Sequence, residues 1–277
     1  MKLLHFTDLH LSLSPAPETQ FHVQPFWRGD AALLFERLER LARQADAILF
    51  TGDATHGGGA VEAARFIELL ASTAAGKPVF ISLGNHDVVN PKWKEHFGVQ
   101  ATPHANFHFQ DGLYAVGDAQ VLLIHSGYVS AANLVEAEWN AGRFPVPGLR
   151  VQQLEQLEMK LSSGGNLPVI AATHCPSHVL PPTASGFADY VGPGMDAYRA
   201  ALVGLLDRHP RVRAMVAGHV HFNSTQIASN GRVHQSLSSV AEHPCQVRML
   251  ELTASKLGSR LVSLADEAEL EAANPSA

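Results

Sequence analysis

The stretch Leu3-Leu4-His5-Phe6-Thr7-Asp8-Leu9-His10 sets the reading of this chain. A short apolar run of this kind reads as a buried strand. It stops at an acid, and a histidine follows two positions later. The same design recurs downstream. Ala47–Phe50 runs into Thr51-Gly52-Asp53, and residues 78–83 run into Gly84-Asn85-His86-Asp87. Residues 168–172 end at Thr173-His174, and Val212–Ala217 ends at Gly218-His219-Val220-His221.

Helical patterns separate these runs. Residues 31–44 place Leu33, Leu34, Leu38 and Leu41 on one face behind Asp30 as an N-cap, and residues 61–72 are amphipathic. Residues 151–161 carry Leu154, Leu157 and Leu161 as a stripe, and residues 195–208 form a further helix. Strands alternating with helices of this length predict βαβ units and a largely parallel sheet. The middle of the chain is different. Residues 107–110, 113–116 and 121–125 read as strands split by Asp111-Gly112 and Gly117-Asp118, two hairpin signals. Asn230-Gly231 marks another hairpin, and residues 247–252 are expected to pair with 260–264. Nothing resembles an internal repeat or a linker, so one domain over residues 1–264 is expected, with a frayed acidic tail at 265–277. Segments 11–29, 127–148 and 176–194 are long loops, and loops of that length usually carry function or lack order.

Composition narrows the class. The 277 residues are 46% hydrophobic and 17% charged, which fits a globular chain and excludes a disordered one. A net charge of -6 gives no broad electrostatic footprint for nucleic acid. No apolar run approaches the roughly 18 residues of a membrane span. The N-terminus enters a strand at once, without a leader pattern, so a cytoplasmic protein is expected. Two cysteines, Cys175 and Cys245, cannot build a disulfide framework. Sixteen histidines stand out, because histidine is the commonest transition-metal ligand.

In open α/β sheets, ligands bind beyond the carboxyl ends of the strands. Asp8, His10, Asp53, Asn85, His174, His219 and His221 all fall at such ends. If the chain stays extended there, Asp8 and His10 project to one side, while His86 points away from Asn85 and Cys175 away from His174. Alone, each feature is common: Gly-Asp is usually a turn, and a histidine after a strand is usually structural. Their conjunction at five strand ends is what points to a site. His56, in a glycine-rich loop, is expected at the surface. His5 is expected to pack inside, His125 to be structural or to lie just behind the site, and Asp87 to cap the following segment, with orienting His86 as the alternative.

The series Asp8-x-His10, Gly52-Asp53, Gly84-Asn85-His86-Asp87, His174 and Gly218-His219-x-His221 resembles the calcineurin-like metallophosphoesterase superfamily, across residues 8 to 221. The resemblance implies a four-layer α/β/β/α sandwich with mixed sheets and a binuclear centre at one edge. Asp8, His10 and His221 would hold one metal, Asn85, His174 and His219 the other, with Asp53 bridging and His86 beside them as general acid. Mixed imidazole, carboxylate and amide ligation suits manganese, iron or zinc. Such a pair lowers the pKa of a shared water and clamps phosphate oxygens, so the expected chemistry is attack by a bridging hydroxide on a phosphoester.

The Gly-Asn-His-Asp block and the chain length are most similar to the bacterial phosphodiesterase branch, which includes class III cyclic nucleotide phosphodiesterases. After Gly52-Asp53 the chain reads Ala54-Thr55-His56, unlike the longer block of the Ser/Thr protein phosphatases. The substrate expected is therefore a small phosphodiester, with a nucleotide among the candidates. A phosphomonoesterase, a nucleotide pyrophosphate hydrolase and an inactive binding scaffold are the alternatives. Phe21, Phe26, Trp27, Phe187 and Tyr190 in the loops could stack on a base or pack against the domain or a second subunit of a homo-oligomer.

Overall fold

Short apolar runs form parallel strands only where both faces are covered, and this chain covers them with a second sheet on one side and helices on the other. The computed structural model describes residues 1–13, 31–99, 104–126, 147–179 and 195–266. Asp30, the five loop aromatics, most of the three long loops and the tail beyond residue 266 lie outside the described residues.

The first sheet is built around β1 (Lys2–Phe6), β2 (Ala47–Phe50), β3 (Val79–Ile81) and β4 (Phe107–His108), which run parallel. On the far side of β1 lie β11 (Gln246–Leu252) and β12 (Leu257–Ser263), both antiparallel to their neighbours. The six-stranded order is β12-β11-β1-β2-β3-β4. The second sheet contains β5 (Gly112–Val116), β6 (Ala119–Leu123), β7 (Val169–Ala172), β8 (Val212–Ala217), β9 (Ser224–Ile227) and β10 (Val233–Ser236), in the order β5-β6-β7-β8-β10-β9. Its centre, β6-β7-β8-β10, is parallel and its two edges are antiparallel.

Side-chain alternation assigns the layers. In β2, Ala47 and Leu49 join Leu3, Phe80, Val121, Ile170, Ala214 and Val216 in a core between the sheets. Ile48 and Phe50 face the other way, against α1 (Ala31–Ala42) and α2 (Ala60–Ala74). Here Phe50 and Phe66 sit 4.8 Å apart, and Phe6 and Phe50 5.1 Å apart. The second sheet buries Leu122, Val169 and Met215 against α5 (Val151–Ser163) and α6 (Met195–Asp207). Two single turns, α3 (Asn85–Val88) and α4 (Trp93–His96), complete the described helices. The result is the expected layering of helices, sheet, sheet and helices. No helix among the described residues is long and apolar enough to cross a membrane.

The expectation for Asp111-Gly112 needs correction. It closes no hairpin, because β4 pairs with β3 in the first sheet while β5 pairs with β6 in the second. The dipeptide is the crossing between sheets. Asp111 fixes that crossing by accepting the His125 N–H at 2.6 Å and the Gln153 amide at 2.9 Å. Gly117-Asp118 does close a hairpin, and Asn230-Gly231 lies in the β9–β10 connection. Ala265, assigned to the tail, is buried in the first helical layer.

The two sheets meet closely at the carboxyl ends of β1, β2, β3, β7 and β8. Gly52, leaving β2 at φ +104°, lies so near β7 that a Cβ there would stand 2.3 Å from His174 Nδ1. Gly52→Ala therefore combines an unfavourable backbone with a clash, and is expected to lower stability by about 1–3 kcal/mol or more. Gly57→Ala, with open space around it, is expected to stay within about 0.5 kcal/mol of the parent. Urea unfolding midpoints of the two variants check this.

Candidate metal centre

Beyond β1, β2 and β8 the backbone turns sharply. Asp8, His10, Asp53, His219 and His221 have φ between 48° and 71°, the left-handed region. Asp and His enter that region more readily than most residues. The side chains therefore converge through turns and not through the pleat of an extended chain, which corrects the projection argument for Asp8 and His10. The turns are held by backbone bonds between neighbouring strand ends: Asp8 N to Gly52 O (2.9 Å), His10 N to Asp53 O (2.9 Å) and Gly218 N to His174 O (3.0 Å). His86 is not extended either. It lies in α3, and its backbone N–H donates to Asp53 Oδ1 at 2.9 Å.

All seven side chains expected as ligands come together. Asp8, His10 and His221 form one group and Asp53, His174 and His219 another, each with donor atoms within 4.8 Å of one another. Asn85 Oδ1 joins the second group, 3.1 Å from His174 Nε2 and 3.0 Å from His219 Nδ1. Asp53 Oδ2 lies 3.3 Å from His174 Nε2 and 3.6 Å from His10 Nε2, between the two groups.

The carboxylates share one design. Asp8 accepts the Thr7 hydroxyl (2.7 Å) and the His219 N–H (2.9 Å) on Oδ2; the same N–H reaches Oδ1 at 3.2 Å, and Oδ1 faces His221 Nε2 at 3.4 Å. Asp53 takes the His86 N–H on Oδ1 and turns Oδ2 to the imidazoles. In each, the shorter bonds from neutral donors fall on one oxygen and the other faces ring nitrogens.

Those nitrogens are fixed from behind. His174 Nδ1 donates to the Thr51 carbonyl at 2.6 Å, and His221 Nδ1 donates to Glu242 at 2.9 Å. A carbonyl or carboxylate can only accept, so the hydrogen of each neutral ring sits on Nδ1 and the Nε2 lone pair points inward. Inside, His174 Nε2 meets His219 Nδ1 at 3.1 Å, and His10 Nε2 meets His221 Nε2 at 3.1 Å. With both rings neutral these two Nε2 atoms are acceptors, in a space where the carboxylates of Asp8 and Asp53, with Asn85 and His174, are almost wholly buried. Positive charge must sit among them, as protons or as metal ions.

The ionisation of the metal-free cluster shows the same demand. Burial, which would lower His174, is outweighed by the Asp53 and Asp8 carboxylates and the Thr51 carbonyl, so its pKa is pushed up to about 9. His221 is likewise raised despite burial, by Glu242 and Asp8. Burial and the charge of His174 push His219 down to about 3. Burial would raise the Asp53 carboxyl, yet the imidazoles of His174, His86 and His10 hold it well below the usual range. Nitrogen, carboxylate and amide-oxygen donors in two converging sets suit two divalent ions.

The remaining expectations divide. His86 packs edge-on against His10 with ring centroids 4.5 Å apart, and its Nδ1 donates to the His56 carbonyl at 2.8 Å. His56 is not the surface residue expected. It is half-buried, with its ring 5.3 Å from His86 and 6.1 Å from His10. The glycines after it let that loop fold back over the cluster, and only their run in the sequence hinted at this. Asp87 does more than cap. It accepts N–H groups of Ala54, Thr55 and Gly84 and the Thr55 hydroxyl, tying the Asp53 turn to the His86 turn. Burial and the Asp53 charge push its carboxyl up to about 7, against those donors. His5 is buried with Nε2 2.8 Å from the Thr51 hydroxyl, His125 is held by Phe109 and Asp111, and Cys175 packs in the second helical layer. Glu242 was missed, since nothing in its local sequence marks it.

A 3',5'-cyclic adenosine monophosphate phosphodiesterase of Pseudomonas aeruginosa is 29% identical over 187 residues, 67% of this chain. The match spans 58% of that protein's own length. A dimetal phosphatase from Danio rerio superposes with a TM-score of 0.70 at 16% identity, covering 96% of each chain. The purple acid phosphatase PPD1 of yellow lupin superposes at 0.67 and 16% identity, over 96% of this chain and 52% of that one. At such identities these structures share the fold alone. The family model for calcineurin-like phosphoesterases matches residues 1–223, well over half the sequence, and the chain belongs to that family.

Proposed function

We propose that this phosphoesterase hydrolyses a small phosphodiester with the help of two transition-metal ions. Asp8, His10 and His221 would hold one ion, Asn85, His174 and His219 the other, and Asp53 both. The observation that carries this reading is the pair of inward-facing imidazole contacts at 3.1 Å beside half-anchored carboxylates. Manganese, iron and zinc all suit this donor set. When bound, the ions supply a water of lowered pKa and positive charge for the non-bridging phosphate oxygens.

The chain's own groups do the rest. Asp8 and Asp53 contribute two negative charges against four from two divalent ions, which leaves a local surplus that attracts a phosphate to a protein of net charge -6. His86 carries a proton on Nε2 toward the departing oxygen. Its Nδ1 stays bonded to the His56 carbonyl before and after the transfer, so the ring need not turn. The diester preference is supported by the similarity to the P. aeruginosa cyclic nucleotide phosphodiesterase, and a nucleotide is the substrate class to test first.

Three outcomes are expected. Elemental analysis of protein purified without chelator finds about two equivalents of transition metal, and Asp53→Asn loses both metal and activity. No metal in the parent protein would favour a binding scaffold. On manganese-loaded enzyme, bis-nitrophenyl phosphate is cleaved faster than nitrophenyl phosphate; the reverse order marks a monoesterase. His86→Ala retains its metals and loses about 10² to 10⁴ in rate on alkyl esters, with a much smaller loss on nitrophenyl esters. Equal losses on both would remove the acid role.

A further inference from the structure

We propose that Glu242 is the positioning residue of the Asp8–His10–His221 site: it fixes His221 from behind and thereby sets the affinity of that site, and not of its neighbour, for a metal ion. The inference rests on the metal-centre reading above. Glu242 lies beyond residue 223, where the family match ends.

Its carboxylate accepts from His221 Nδ1 at 2.9 Å, and the two side chains are only 14% and 15% exposed. The bond leaves the His221 Nε2 lone pair facing Asp8 Oδ1 at 3.4 Å and His10 Nε2 at 3.1 Å. A charged acceptor behind an imidazole also makes the opposite nitrogen a stronger donor to a metal, and such outer partners commonly decide affinity.

The segment carrying Glu242 is bound to the same strand end that delivers Asp8. Val240 N donates to the Thr7 carbonyl at 3.0 Å, and the Ser239 hydroxyl donates to the Asp8 carbonyl at 2.7 Å. Ala241 N closes onto the Ser239 hydroxyl at 3.2 Å, and Cys245 N onto the Glu242 carbonyl at 2.6 Å. Glu242 is thus placed relative to Asp8 by hydrogen bonds from the residues just before it, and the turn after it closes on its own carbonyl. The neighbouring site differs: His174 is oriented by the neutral Thr51 carbonyl. A change at Glu242 should therefore reach one ion and spare the other.

The test is a manganese titration of chelator-stripped full-length protein against a chromophoric competitor, for the parent, Glu242→Ala, Glu242→Gln and His221→Ala. Glu242→Ala is expected to weaken one of the two ions by about 10- to 100-fold and to leave the other unchanged. His221→Ala should lose that same ion. Glu242→Gln, which keeps an acceptor but not the charge, should weaken it to a smaller extent. Both ions held as tightly as in the parent, in Glu242→Ala and Glu242→Gln alike, would overturn the proposal; if Glu242→Ala does not fold, Glu242→Gln decides alone on that criterion. Equal weakening of both ions would also overturn it. A parent protein that takes up no manganese overturns the metal-centre reading, and this proposal with it.

Discussion

Two carboxylates and the lone pairs of two imidazoles, gathered out of reach of water, are the constraint on which this molecule turns. Each inward nitrogen of His174 and His221 has had its hydrogen committed to the opposite side of the ring, by Thr51 and by Glu242. Each inward carboxylate has one oxygen committed to backbone or hydroxyl donors. What remains in the middle is two buried carboxylates and two imidazole acceptors, each imidazole 3.1 Å from a second ring nitrogen. In a buried space such an arrangement is costly unless something positive occupies it. The raised pKa values of His174 and His221 answer that demand with protons, and the donor set also suits divalent ions.

The arrangement also stores backbone strain. Five of the residues proposed as ligands have positive φ, and a left-handed L-residue costs roughly 1–2 kcal/mol. Histidine and aspartate bear this more easily than branched residues, but the turns persist because the ends of the strands feeding them are buried. Leu3, Leu49, Phe80, Ile170 and Val216 lock the two sheets face to face, and Asp87 then joins the turn after β2 to the turn after β3 through three backbone N–H groups. A rigid double sheet holds strained tips in register, as functional sites generally require.

Much of this was legible in the chain. β2 and β8 begin and end where their apolar runs do, and α5 buries Leu157 and Leu161 as its periodicity implies. Where the reading failed, pairing between distant segments was responsible. Asp111-Gly112 has the local chemistry of a hairpin, yet β4 gains a partner in β3 and leaves β5 to the other sheet. His56 sits in a loop that looks solvated, but its carbonyl is the acceptor for His86. The same-side projection of Asp8 and His10 assumed extended backbone just where the chain leaves the sheet.

The sequence by itself determined which residues could form a site, because short apolar runs ending in Asp, Asn or His fix both the strands and the chemistry at their tips. It could not determine how those tips meet. That was decided by the packing of one sheet on the other, which brings His174 and Gly218 of the second against Thr51 and Asp8 of the first. Nor could it show Glu242, whose carboxylate matters only because a loop more than two hundred residues from Asp8 is bound back to the end of the first strand. Local patterns encode strand ends; only the folded chain sets the distances among them.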